Sequence, residues 1–149
     1  MYVQTRDEEV LKQFWIDETT NTPRHFQDGI NAWRTSWEDF KGFCDNAERI
    51  YLIDNSALLY VERIDDKANI HFSLLRGKKV DIADLISIRD ELLKDCICIF
   101  GYAGKHSWGL KRLLRECGLE HHGVEMLKGR YKNRVMTWQL FLCERTAMC

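Results

Sequence analysis

Two stretches of this chain carry residue types that suit phosphate. The first is Arg76-Gly77-Lys78-Lys79-Val80-Asp81, a glycine-containing loop between an apolar alternating run and a helical one. A loop set between a strand and a helix N-terminus presents backbone N–H groups and the positive end of the helix dipole to anions. The second is Lys128-Gly129-Arg130-Tyr131-Lys132-Asn133-Arg134, in which Lys128, Arg130, Lys132 and Arg134 surround Tyr131. Cations around one aromatic ring suit a nucleic-acid backbone and a stacked base, although the same residues also make an ordinary solvated turn. Lys105, Lys111, Arg112 and Arg115 add further positive charge to the segment before it. Six cysteines (Cys44, Cys96, Cys98, Cys117, Cys143 and Cys149) raise the question of a metal. No C-x-x-C pair exists, Cys96-Ile97-Cys98 lies in an apolar run, and cysteines in a reducing cell serve as small core hydrophobes. His121 and His122 follow Cys117, but neighbours on a strand point to opposite faces. No metal site is expected.

The elements that position these residues follow from periodicity. At 149 residues, with 45% hydrophobic and 30% charged residues, one compact domain spanning 1–149 is expected. A net charge of −1 argues against a generally nucleic-acid-coating protein. Tyr2–Thr5 reads as a short strand, and Asp7 as the cap of a helix with Val10, Leu11, Phe14 and Trp15 inward. A loop over Asp17–Pro23 leads to a helix from Arg24 to Cys44, with Phe26, Ile30, Trp33, Trp37, Phe40 and Cys44 on one face. Arg49–Asp54, Leu58–Ile64 and Asn69–Arg76 read as an antiparallel meander. Asp81 caps the next helix, to Lys94, followed by an apolar strand Cys96–Tyr102. Ser107 caps a helix that ends at Gly118, and Leu119–Leu127 and Val135–Cys143 are the last strands.

The expected fold is therefore α+β, with a mixed, mainly antiparallel sheet in the order β-α-α-β-β-β-α-β-α-β-β. In that order and length the chain resembles the GNAT N-acyltransferase family. Arg76–Asp81 resembles the family's pyrophosphate loop, written Q/R-x-x-G-x-G/A, and Leu113–Leu119 resembles the end of its next helix, where a tyrosine precedes a Gly-aromatic stop. The resemblance implies acetyl-CoA as cofactor, with Arg76, Gly77, Lys78 and Ser107 as its contacts. It also places His71 and Glu62 near the central cleft as general-base candidates, with Tyr102 as a candidate acid. The sequence departs from the pattern at Lys79 and Asp81, where the family has glycine, and at Leu114, where it has the tyrosine.

Those departures set the functional expectations. The first is a non-catalytic protein of this fold, without cofactor, acting through protein contacts in a larger assembly. In this respect the chain resembles the small head-assembly and internal virion proteins of short-tailed phages. The alternative is an active acetyl-CoA-dependent N-acyltransferase. The third is a nucleic-acid-binding adaptor using the basic hairpin. No apolar run is long enough to span a bilayer and the N-terminal residues lack a signal-peptide pattern, so a location in the cytoplasm of a host cell, or in a virion, is expected.

Overall fold

The computed structural model of the chain describes residues 1–21, 36–75, 77–104, 108–128 and 135–145. Strand β1 (Tyr2–Gln4) leads into helix α1 (Glu8–Asn21). Asp7 starts that helix as its position predicts, its carboxylate accepting the Glu9 N–H at 2.9 Å. The loop expected from Asp17 begins later, because α1 continues to Asn21 and the Thr19 hydroxyl donates to the Trp15 carbonyl at 2.8 Å. Helix α2 (Trp37–Asn46) starts afresh at Ser36, which is extended (φ −108°, ψ 146°) and accepts the Asp39 N–H. One continuous helix from Arg24 to Cys44 is thus corrected. A serine that caps the chain downstream breaks any helix through it, and residues 24–35 lie outside the described residues.

Strands β2 (Arg49–Ile53), β3 (Ala57–Ile64) and β4 (Lys67–Leu74) form the expected antiparallel meander. Its turns place Asp54 (φ 49°), Asn55 (φ 55°) and Asp65 (φ 57°) in the left-handed region, which short polar side chains tolerate. Helix α3 (Ile82–Leu92), strand β5 (Cys98–Gly104), helix α4 (Trp108–Glu116) and strands β6 (Glu120–Lys128) and β7 (Val135–Glu144) complete the described chain. The seven strands lie in the order β1-β2-β3-β4-β5-β7-β6, and only β4 and β5 run parallel. The mixed, mainly antiparallel α+β fold is as expected.

The sheet is covered on both faces, which is why its central strands read as near-continuous apolar runs. On one face, Leu11 and Phe14 of α1 and Phe40 and Cys44 of α2 pack with Ile50, Leu58 and Tyr60. The aromatic helical stripe seen in the sequence serves here as core: Phe40 meets the Tyr60 ring edge-on at 6.0 Å. On the other face, Leu85, Ile88 and Leu92 of α3 and Leu114 of α4 pack with Leu59, Val61, Ile70, Ile99 and Phe141.

Strands β4 and β5 pair only through Lys67–Cys98, Ala68–Ile99 and Asn69–Phe100. Beyond these residues β4 continues to Leu74 on the β3 side and β5 to Gly104 on the β7 side, with no further pairing between them. The two strands part in a V. At its vertex, a Cβ on Gly101 would lie 2.9 Å from Leu114 Cδ2 and 3.4 Å from the Ile70 carbonyl oxygen. Glycine is required there for α4 to seat. Gly101→Ala is expected to cost about 1–3 kcal/mol by overpacking, and Leu114→Ala about 2–5 kcal/mol through a cavity. Chemical denaturation of the double variant should show less than the sum, since each change relieves the other; strict additivity would refute the contact.

Candidate functional site

The face of the sheet that carries α1 and α2 also carries the ionisable residues beside the V. Glu62 of β3 lies opposite Asn69 of β4, and Tyr60 lies opposite His71. His71 Nε2 stands 4.0 Å from Glu62 Oε1, with the His71 side chain 10% exposed and that of Glu62 43%. Phe43 of α2 meets the imidazole edge-on at 5.3 Å and fixes its plane. Asn69 donates from Nδ2 to Glu62 Oε1 at 3.4 Å. On β5, Phe100 and Tyr102 alternate onto this same face, their rings edge-to-face at 5.8 Å. Two residues beyond the last paired positions, His71 and Tyr102 stand on opposite arms of the V.

Beyond the end of β4, the loop after it and helices α3 and α4 enclose a groove of about 340 Å³. Its walls are Leu74 at the end of β4, the loop residues Lys78, Lys79 and Val80, Ile82 of α3, and Gly109, Arg112, Leu113 and Glu116 of α4. Gly77 turns the chain into this loop at φ 76°, a left-handed conformation that glycine adopts without strain. Asp81 closes the loop by accepting the Ala83 N–H at 2.9 Å, so its carboxylate holds one of the first-turn donors of α3. Three cations therefore line the groove. One of them, Arg112, also donates to Glu116 at 3.0 Å while its side chain stays 80% exposed, so solvent screens that pair and little of the cation is tied up.

Of the residues singled out from sequence, the structure brings Glu62 and His71 together and sets Tyr102 across the opening from them. Gly77 and Lys78 lie on the groove loop, whereas Arg76 and Ser107 are outside the described residues. So are Lys105, Arg130, Tyr131, Lys132 and Arg134, and of Lys128 only the end of β6 is described. Asn69 was not marked by sequence, and Arg112 was named only among the basic residues of the segment before the hairpin. Arg112 had a signal, since Gly109, Arg112, Leu113 and Glu116 recur at helical spacing along one face. Asn69 had none, because an asparagine within a strand reads as a weak strand former. No helix among the described residues is long and apolar enough to cross a membrane. Asp54, Asp81 and Asp84 bring carboxylate oxygens within 4.8 Å of one another. The Met1 ammonium lies 2.7 Å from both Asp54 and Asp84, and the two carboxylates raise its pKa to about 10.

By sequence, no family model and no curated protein matches this chain. By structure, it is similar to the ribosomal L7/L12 α-N-protein acetyltransferase RimL in complex with coenzyme A, with a TM-score of 0.73, 13% identity, and 99% of this chain and 96% of that one covered. It is similar also to the microcin C7 self-immunity acetyltransferase MccE in complex with acetyl-CoA and AMP (TM-score 0.71, 10% identity, 96% and 92% covered). A third similar structure is the ribosomal-protein-S5-alanine acetyltransferase from Vibrio fischeri (TM-score 0.69, 10% identity, 98% and 93% covered). The chain has the GNAT acetyltransferase fold. The expectation of a non-catalytic virion-assembly protein without cofactor is corrected by this comparison. These similar structures are N-acetyltransferases, two of them holding acetyl-CoA or coenzyme A, and nothing among them points to a virion.

None of the groove-lining residues is a cysteine. Cys44, Cys96, Cys98 and Cys117 are buried in the core. Burial pushes the Cys96 and Cys98 thiols up, and that of Cys117 to about 12. Only the thiolate is nucleophilic, so at about pH 8 roughly one Cys117 in ten thousand is reactive. Iodoacetamide at that pH should leave Cys96, Cys98 and Cys117 unmodified in the native protein and alkylate all three in guanidinium. Mass-spectrometric detection of native labelling at Cys117 would refute its placement.

Proposed function

We propose that this protein is an acetyl-CoA-dependent N-acyltransferase. The observation that carries the reading is the V between β4 and β5, flanked by a carboxylate–imidazole pair, with a groove that presents Lys78, Lys79 and Arg112 beyond the end of β4. Acetyl-CoA, when bound, supplies an acyl group activated as a thioester. Its phosphates suit Lys78, Lys79 and Arg112, and its less polar parts suit Leu74, Val80, Ile82 and Leu113. The inward edges of β4 beyond Asn69 and β5 beyond Phe100 form no ladder with each other. An extended ligand bearing amide groups can pair with such an edge as an added strand does. With Asp81 holding the Ala83 N–H, anion binding here depends more on side-chain charge than on bare backbone.

An amine becomes a nucleophile only after it loses a proton. Glu62 and His71 are placed to take it, since the carboxylate 4.0 Å from Nε2 stabilises a proton received by the imidazole. Phe43 holds that ring in plane and limits its wandering. Tyr102, on the far arm of the V, offers a phenolic O–H for the departing side of the reaction. Leu114 has no ionisable group and serves as packing at the vertex.

Titration calorimetry should give a dissociation constant for acetyl-CoA on the order of micromolar. Lys79→Glu and Arg112→Glu should each weaken binding about tenfold or more, with the loss larger at low salt. His71→Ala and Glu62→Gln should slow amine-dependent thiol release about 10²–10⁴-fold while leaving acetyl-CoA affinity unchanged. Absence of any binding heat up to about 1 mM acetyl-CoA would overturn the reading.

A further inference from the structure

Strand β6 lies at one edge of the sheet, and among the described residues no strand pairs with its outer side. Such an edge is a row of unmatched N–H and C=O groups, which proteins blunt with short strands, bulges or charges. The opposite edge, β1, is 3 residues long. β6 runs for 9 residues, and its bulge lies near its start, between His121 and Gly123. In the middle of β6 stands Val124, an apolar side chain 58% exposed.

A second exposed apolar residue stands beside it. Trp108, the first residue of α4, is 69% exposed. Trp108, Lys111 and Arg115 form one row along that helix by their spacing. Arg115 lies over the Phe141 ring of β7 at 5.7 Å, and His121 of β6 meets the same ring edge-on at 5.5 Å. The row therefore overlooks β7 and β6. Residues 105–107 join Trp108 to Gly104, which pairs with Trp138, so α4 starts at that end of β7. From Arg115 back to Trp108 the helix travels about 10 Å. From Phe141 back to Trp138 the strand travels about the same distance. Trp138 pairs with Glu125 and Gln139 with Val124, which sets Trp108 level with Val124. Gln139 alternates with Phe141, so Val124 opposite it lies on the face that carries α4. Lys111, itself 3% exposed, holds its ammonium 4.4 Å from the centre of the Trp108 ring, which fixes the indole where it meets solvent.

We propose that β6 pairs antiparallel with β6 of a second copy of this chain, about a two-fold axis through Val124. That axis stands perpendicular to the sheet, so both α4 helices lie on one face and the two Trp108 rings flank the two Val124 side chains. The same centre sets Glu120, at one end of each strand, against Lys128 at the far end of the other copy's strand. The strand is complementary to itself in this direction alone. Parallel pairing would set Glu120 against Glu120 and Lys128 against Lys128. An apolar middle with charged ends is the ordinary anatomy of a protein interface, and a two-fold contact makes each pair twice. Tryptophan is also a residue type that carries a large share of binding energy. β7 separates β6 from the V, so this contact stands apart from the acyltransferase reading.

Light scattering of the full chain after gel filtration should give the mass of a dimer, with a dissociation constant on the order of micromolar. Val124→Lys sets like charges opposite each other at the axis, and Trp108→Ala removes the flanking rings. Both positions are exposed, so circular dichroism should show an intact fold while each variant weakens the dimer about tenfold or more. Glu120→Lys alone and Lys128→Glu alone should each weaken it about threefold or more. The two together should restore the wild-type constant, because each residue then faces its opposite charge again. A wild type that stays monomeric at about 100 μM overturns the proposal. So does a dimer that Val124→Lys leaves intact, or one that the double charge swap fails to restore. Slow amide exchange along β6 in a monomeric wild type would show instead that a segment of the same chain covers the edge.

Discussion

Everything that can do chemistry in this protein depends on β4 and β5 parting after three paired positions. A regular sheet offers no passage and no unpaired backbone in its middle, because each strand's edges are taken by its neighbours. Here β4 is held by β3 along its whole length and β5 by β7, so the opening between them cannot be closed by sliding either strand. The vertex is set by side-chain volume. A Cβ at position 101 would lie 2.9 Å from Leu114 Cδ2 and 3.4 Å from the Ile70 carbonyl oxygen, so a larger residue there would force Leu114 to shift. A single close contact thereby fixes where the ladder ends and how α4 lies relative to the loop after β4.

Two chemically different environments lie on either side of the sheet near the V. On the α1–α2 face stand Glu62, Asn69 and His71, with a carboxylate partly in water and an imidazole packed against Phe43. Beyond the end of β4 stand Lys78, Lys79 and Arg112 over apolar walls. On the acyltransferase reading, groups that would take a proton from an amine are thus kept apart from cations that would attract an anionic cofactor. Mixing them would pair Glu62 with a lysine and hold its carboxyl ionised against proton uptake. The sheet provides the spacing.

Much of the fold was legible because it rests on periodicity. Alternating apolar runs gave the meander, and caps at Asp7 and Asp81 located two helix starts to the residue. Ser36 was passed over because the apolar stripe continues across it, and a stripe records burial, not continuity of the helix. The site was legible only in part. Glu62 and His71 stood out by chemistry, but their approach depends on the register between β3 and β4, which local sequence does not state. Arg112 reaches the groove because α4 is seated by Gly101, a tertiary cause. Asn69 meets Glu62 only because the β3–β4 register sets the two opposite, which local sequence does not state either.

The departures at Lys79, Asp81 and Leu114 were the ground for the non-catalytic expectation, which the likeness to acetyltransferase structures corrected. Glycine in a phosphate loop matters where backbone N–H groups must do the binding. A loop that presents Lys78 and Lys79 to a groove faced by Arg112 can attract the same anion through charge, at longer range and with greater sensitivity to salt. Asp81 stabilises the start of α3, because its carboxylate accepts the Ala83 N–H. Leu114 poses the harder question, since it removes an ionisable group from the helix side of the V. It also leaves that side apolar, and an apolar vertex raises the strength of whatever polar groups remain nearby. Those groups are on the strands. Under the acyltransferase reading, the proton transfers fall to the strand residues of the α1–α2 face, His71 on one arm and Tyr102 on the other.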